Sequence, residues 1–288
     1  MSGGDVRGLL GGHLSGVRGR EPAVLPDGPG LRSTDHPRGL VDLQLDIRLV
    51  HEDLMLPLLV LLAIGDSHGR VDTFRSVVSA MLREEQIDAT LFAGDLTSLD
   101  EEIPDMMNEI NRLKHRAPLI ATRGNHDTLE NFNDLFGELP QAHDVLDNPF
   151  GVTVLSVSDV GSTSGMSFVR RQIEDRPERR FIVLMHVPPL TCSPDSGQTN
   201  TATRWRLFLE EVLDSDDLIV SGHNHVTCEY KLNETRVFVT ARSGSKRYRC
   251  LPEEELPEGA TCDDSRDPVY LRIMLMTDGS WSWSWITP

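Results

Sequence analysis

The chain has 288 residues, enough for one large domain with a full core or two small ones. It carries 45 acidic against 28 basic side chains, a formal net charge of −17, so most of its surface repels nucleic acid and anionic membranes. The longest apolar run, residues 54–64, is far short of the ~20 residues a spanning helix needs; it reads as a buried strand in a soluble, cytoplasmic protein.

Residues 1–53 are crowded with Gly, Pro, Arg and Ser and show no sustained period. Such a stretch cannot bury enough apolar area to offset its ordering entropy, so a disordered or loosely packed extension is expected. One domain is expected over residues 54–288. Residues 58–64 are continuously aliphatic, which suits a strand covered on both faces. Phe74, Val77, Val78, Met81 and Leu82 then fall at helical spacing, with Asp72 as the expected N-cap. Residues 89–93 predict a second strand. Ile103, Met106, Met107, Ile110 and Leu113 predict a second helix, with Pro104 tolerable in its first turn. Residues 118–122 predict a third strand, and this βαβαβ rhythm argues for parallel strands joined by helical crossovers.

Beyond Pro149, residues 152–157 and 181–185 predict strands, separated by a short helical pattern around Val169 and Ile173. Trp205, Phe208, Leu209, Val212 and Leu213 share one helical face. Residues 218–220, 237–240 and 269–276 predict later strands, and the acidic residues 253–267 a surface loop. Trp281, Trp283 and Trp285 alternate with serines, as in a strand with one apolar face. None of the four cysteines (Cys192, Cys228, Cys250 and Cys262) forms a CxxC, which argues against a zinc finger or a thioredoxin-type site. Cys250 and Cys262 flank the acidic loop and could pair, but four reduced thiols are the expectation.

The chemistry gathers where strands stop. Gly65-Asp66-Ser67-His68-Gly69-Arg70 follows the first, Gly94-Asp95 the second, and Arg123-Gly124-Asn125-His126-Asp127 the third. His186 follows the run ending at Met185, and Gly222-His223-Asn224-His225 follows Ser221. Singly, each has an innocent reading: a turn dipeptide, a helix cap, a buried histidine, two solvated imidazoles. Five such coincidences at strand ends, all with hard oxygen or imidazole donors, point to one ligand site outside the carboxyl ends of the strands. Carboxylate, carboxamide and imidazole together suit Mn²⁺, Fe, Zn²⁺ or Mg²⁺ rather than soft metals.

In order and type these stretches resemble the motifs DxH, GD, GNH(D/E), H and GHxH of the calcineurin-like metallophosphoesterase superfamily. The resemblance implies an α/β fold, a four-layer α/β/β/α sandwich of two mixed sheets flanked by helices. It implies two divalent metal ions, Mn²⁺ first and Fe, Zn or Mg as alternatives. Asp66, His68 and His225 would hold the first, Asn125, His186 and His223 the second, with Asp95 bridging. His126 would be the catalytic residue, contacting phosphate and protonating the leaving oxygen. The implied function is dinuclear metal-dependent hydrolysis of a phosphodiester or phosphomonoester by a metal-bridging hydroxide. The expected partner is a small phosphorylated substrate, with nucleotides among the candidates, and neither a membrane nor nucleic acid. Two alternatives stand beside it: a nuclease of the DNA-repair type, which the acidic charge disfavours, and a non-catalytic protein-binding scaffold, which the complete ligand set disfavours.

Other residues near the motifs are read more plainly. Asp127 either orients a histidine or caps the next helix. Arg70 and Arg123 either touch phosphate or lie on the surface. The basic run of residues 242–249 either grips an anion or is a solvated loop, the latter being favoured. Ala241-Arg242-Ser243-Gly244-Ser245 replaces the Asn-Pro-Gly-Ser turn of many relatives.

Overall fold

The aliphatic run becomes β1 (Pro57–Ile64), and its alternation explains the whole architecture. Leu59, Leu61 and Ala63 face one apolar cluster, while Val60, Leu62 and Ile64 face another. A strand covered on both sides has no polar face to show, hence the unbroken hydrophobicity. Each Leu, Ile or Val so buried contributes roughly 1.5–3 kcal/mol.

This architecture comes from a computed structural model that describes residues 56–97, 103–196, 199–240, 242–244, 248–265 and 267–288. The extension expected over residues 1–53 lies outside them. After β1 the chain forms α1 (Val71–Met81), β2 (Ala89–Phe92), α2 (Ile103–Arg116), β3 (Leu119–Ala121), α3 (Leu129–Phe136), β4 (Gln141–Leu146), β5 (Val152–Ser156) and α4 (Met166–Asp175). It continues through β6 (Arg180–Leu184), α5 (Asn200–Val212), β7 (Leu218–Ser221), β8 (Thr227–Leu232), β9 (Thr235–Thr240), β10 (Thr261–Asp263), β11 (Tyr270–Met276) and β12 (Trp281–Ile286).

The strands make two mixed sheets, ordered β12-β11-β1-β2-β3 and β10-β8-β9-β7-β6-β5-β4. β1, β2 and β3 run parallel, as do β5, β6, β7 and β9. Three apolar clusters separate four layers. Phe74, Val77 and Met81 of α1 pack with Met106, Ile110 and Leu113 of α2 over the five-stranded sheet. Leu61, Leu91, Val154, Leu184, Val220 and Phe238 fill the space between the sheets. Val169 of α4 and Trp205 and Leu209 of α5 cover the seven-stranded sheet with Val183 and Ile219. The result is the α/β/β/α sandwich expected from the motifs. Among the described residues no helix is long and apolar enough to cross a membrane.

The period-two tail is a strand as read, and Trp281, Trp283 and Trp285 all pack against the inter-sheet cluster. Asp72 is not a cap: α1 is entered at Arg70 without a side-chain cap, and Asp72 instead pairs with Arg75 at 3.2 Å within the first turn. The acidic residues 253–267 are more than a loop. They contain a 3₁₀ turn and β10, which pairs antiparallel to β8 at the sheet edge. Arg242 explains the anchoring: it is buried, donates to Asp263 Oδ2 at 2.8 Å and to the carbonyls of Ser265 and Asp267, and is therefore unavailable to an external anion.

The cysteines correct the expectation of four thiols. Cys192 is bonded to Cys228 and Cys250 to Cys262. The flanks of the acidic segment already allowed Cys250–Cys262, whereas Cys192 lies in the loop after β6 and meets Cys228 on β8 only in the folded chain. Closing loops of 36 and 12 residues removes unfolded-state entropy worth roughly 3–4 kcal/mol each.

Candidate metal centre

The carboxyl ends of five parallel strands, three from one sheet and two from the other, meet at one place. Asp66 and His68 leave β1, Asp95 leaves β2, Asn125 and His126 follow β3, His186 follows β6, and His223 and His225 follow β7. Asp66, Asp95 and His186 form a buried floor, whereas Asn125 and His126 stand exposed at a rim.

The side chains converge in two overlapping groups. His68 Nε2 lies 2.9 Å from His225 Nε2, 3.4 Å from Asp95 Oδ2 and 3.8 Å from Asp66 Oδ1. Asp66, His68, Asp95 and His225 thus offer one ligand atom each, all within 4.8 Å of one another, an arrangement that fits a divalent metal. Beside it, Asn125 Oδ1 lies 3.0 Å from His186 Nε2 and 2.9 Å from His223 Nδ1. Asp95 Oδ2 is 3.4 Å from His186 Nε2 as well, so a single oxygen faces both groups. That atom is buried and has no hydrogen-bond partner.

The backbone is bent to achieve this. Asp66, His68, Asp95, His223 and His225 all have positive φ, between 47° and 68°. Asn233, in the turn between β8 and β9, is the sixth such non-glycine among the described residues. Left-handed conformation costs a residue with a Cβ on the order of 1–3 kcal/mol and persists only where the surroundings impose it. Here Asp66 N–H donates to Gly94 O at 2.9 Å, His68 N–H to Asp95 O at 3.1 Å, and His223 N–H to Asp66 Oδ2 at 2.9 Å. Two glycines make room: a Cβ on Gly124 would stand 2.0 Å from Asp95 Oδ1, and one on Gly222 would stand 2.4 Å from Asp66 Oδ2.

Residues 59–227, which span every one of these positions, match the family model for calcineurin-like phosphoesterases. The chain belongs to that family. No curated protein matches it. Among solved structures it resembles GAP50, the anchor in the inner membrane complex of Plasmodium, at 12% identity and a TM-score of 0.60, covering 80% of this chain and 84% of that one. It also resembles a dimetal phosphatase from Danio rerio at 12% identity and a TM-score of 0.52, covering 81% of this chain and 99% of that one. A putative 5′-nucleotidase from Staphylococcus aureus is similar at 11% identity and a TM-score of 0.51, over 80% of this chain and 54% of the larger protein. At such identities these likenesses show the fold.

In this calcineurin-like site the electrostatics are those of facing acids and imidazoles. Burial opposes the charge of His186, but the carboxylate of Asp95, facing it at 3.4 Å, and then those of Asp66 and Asp159 raise its pKa to about 10. Burial also opposes ionisation of Asp66, yet the imidazoles of His225 and His68, 3.4 and 3.8 Å away, hold its pKa well below the usual carboxylate range. His223 is depressed to about 4 by burial and by its neighbour His186. His186 Nδ1 sits 2.7 Å from the Ala93 carbonyl, so that nitrogen donates to the backbone and Nε2 is turned towards Asp95.

Supporting residues are less visible in sequence. Asp127 neither orients a histidine nor caps α3, whose cap is Thr128. Its carboxylate accepts the N–H groups of Asp95, Leu96 and Gly124 at 2.8–2.9 Å, stapling the second motif to the third. Arg123 braces the same loop, donating to the Asp127 carbonyl at 3.3 Å, while Arg70 is exposed. Asp159 too follows a strand, with no recognisable motif around it. It is buried and accepts from the N–H groups of His186 and Val187 at 2.9 and 2.7 Å. Asn224, between the two left-handed histidines, accepts from Cys192 N–H at 2.8 Å and donates to Ser196 Oγ at 2.7 Å. Tyr248 stacks on His225 with ring centroids 4.4 Å apart and an 18° tilt. Ser243 donates to the carbonyl of Gly65, in the loop that follows β1, at 2.5 Å.

Proposed function

We propose that the chain is a hydrolase of small phosphate mono- or diesters, acting at a pair of divalent cations, with Mn²⁺ the favoured metal. Asp95 Oδ2 carries this reading. A buried carboxylate oxygen without a partner, 3.4 Å from an imidazole nitrogen on either side, has the surroundings of a bridging ligand. Asp66, His68 and His225 would hold one cation, and Asn125, His186 and His223 the other. Bound there, the cations would polarise the phosphoryl oxygens and lower the pKa of water towards ~7.

The chain's own residues do the rest. His126 N–H donates to Asp95 Oδ1 at 2.8 Å, and its ring lies 4.9 Å from that of His68. This fixes the imidazole at the exposed rim beside the cradle, where it protonates the leaving oxygen as general acid. The amide of Asn125 adds a ligand without adding negative charge, which helps a site in so acidic a protein accept a phosphate anion. The net charge of −17 confines that attraction to the site and disfavours duplex DNA as substrate.

A protein-binding scaffold is the second reading, because GAP50, of similar fold, is described as an anchor. Five left-handed ligand positions favour catalysis over it, since a scaffold gains nothing from that strain. The disulfides support an oxidising compartment in place of the cytoplasmic location expected from composition.

The test pairs two substitutions. Asp95→Ala should lose both metals by elemental analysis. His126→Ala should keep them while turnover of p-nitrophenyl phosphate or its bis ester falls about 10²–10⁴-fold. Equal metal loss in both variants would remove the role given to His126. A wild-type protein with full Mn²⁺ and no activity on these esters or on nucleotides would favour the scaffold.

A further inference from the structure

A cavity of about 220 Å³ has His126 in its lining. Its lining is half apolar, Leu96, Ile103, Phe132, Leu135 and Phe136, and half polar, with Thr97, His126, Asp127, Thr128 and Asn131. Phe132 and Phe136 stand with ring centroids 5.1 Å apart, tilted by 39°. A cavity of ~150 Å³ already accepts benzene, so by volume one ring fits here with room for a substituent.

Three observations say what the cavity takes. His126 belongs both to this cavity and to the cradle, its ring 4.9 Å from that of His68. A group that protonates the leaving oxygen has the leaving group's carbon skeleton beside it, so the skeleton lies on the cavity's side. Among the described residues no Lys or Arg lines the cavity. Asp127, its one carboxylate among the described residues, already accepts three backbone N–H groups, and the nearby Lys114 is committed to the Leu135 carbonyl at 2.8 Å and the Phe136 ring at 4.9 Å. A second phosphate would find no counter-charge there, whereas an uncharged ring would be desolvated against five apolar side chains.

We propose that this cavity is the leaving-group subsite and that it selects phosphate esters of uncharged aromatic alcohols. The proposal rests on the hydrolase reading above and adds the class of substrate to it.

Calorimetric titration of the Mn²⁺-loaded protein with phenylphosphonate and with methylphosphonate, neither of which is hydrolysed, tests it directly. Phenylphosphonate should bind at least about tenfold more tightly, from the ring area removed from water. Phe136→Ala and Leu135→Asp, both at half-buried positions near the end of α3, should each reduce that ratio to about threefold or less. Equal affinity for the two phosphonates in the wild type, or a preference that survives both substitutions, would overturn the subsite and leave the hydrolase reading intact. Failure of both phosphonates to bind would overturn the two together.

Discussion

At the scale of single residues, the centre is built by forcing side chains into conformations they avoid. Asp66, His68, Asp95, His223 and His225 take left-handed backbone that glycine would adopt more cheaply, because only that bend turns each donor atom inward. The neighbouring glycines are then fixed by contact. Gly124→Ala would put a methyl group 2.0 Å from Asp95 Oδ1 and displace the carboxylate. The expected result is a protein with native circular dichroism that retains little or no Mn²⁺ by elemental analysis; full metal content would contradict the crowding. All eight positions singled out in the sequence, His126 included, come together here. Asp159 and Asn224 were illegible for opposite reasons. Asp159 lacks a glycine or histidine beside it, and Asn224 sits inside a motif whose histidines explained it away. Both work from behind the cradle, by accepting backbone N–H groups.

At the scale of elements, legibility followed apolar content. β1, β2, β3, β5, β6 and β7 were readable because their residues are buried on both faces. β4, β8 and β10 were not, because they carry polar residues and lie towards one end of the seven-stranded sheet or the other. α3 is eight residues long, too short for a period to show. The joint between β6 and β7 also hides a titrating group. Asp217 accepts from the N–H groups of Phe181 and Asp214, at 2.7 and 3.1 Å, which favours its charged form. Burial outweighs this, with Asp214 and Asp216 adding repulsion, and raises its pKa to about 7. The folded chain therefore keeps a proton that the unfolded chain releases near pH 4. This contribution to stability is complete below about pH 4 and is lost as the pH rises towards 7. Asp217→Asn should show a constant offset from the altered hydrogen bonds and, on top of it, a melting point that gains on the wild type between pH 4 and 7. A difference that does not vary with pH would mean that Asp217 is ionised throughout.

At the scale of the molecule, the sandwich is held by three apolar layers, yet its functional edge is a concentration of like donors. Imidazole nitrogens 2.9 Å apart, and acids facing them, are better satisfied by cations than by one another. Mn²⁺ at a hundred times its dissociation constant should stabilise the fold by about 2.7 kcal/mol, a rise in melting temperature of about 5–10 °C for a domain of this size. Chelation should reverse the rise, and a melting point indifferent to both treatments would mean that the cradle does not load.

The five-stranded sheet supplies Asp66, His68, Asp95 and Asn125, and the seven-stranded sheet supplies His186, His223 and His225. Neither half of the sandwich therefore owns a complete set. The centre works as a clasp across the seam, sensitive to any slip of one half along the other. Cutting back a side chain far inside that seam, such as Phe238 against Trp283 and Trp285, should loosen the clasp before it melts the halves. On warming such a variant in Mn²⁺, bound metal should be lost first and secondary structure afterwards.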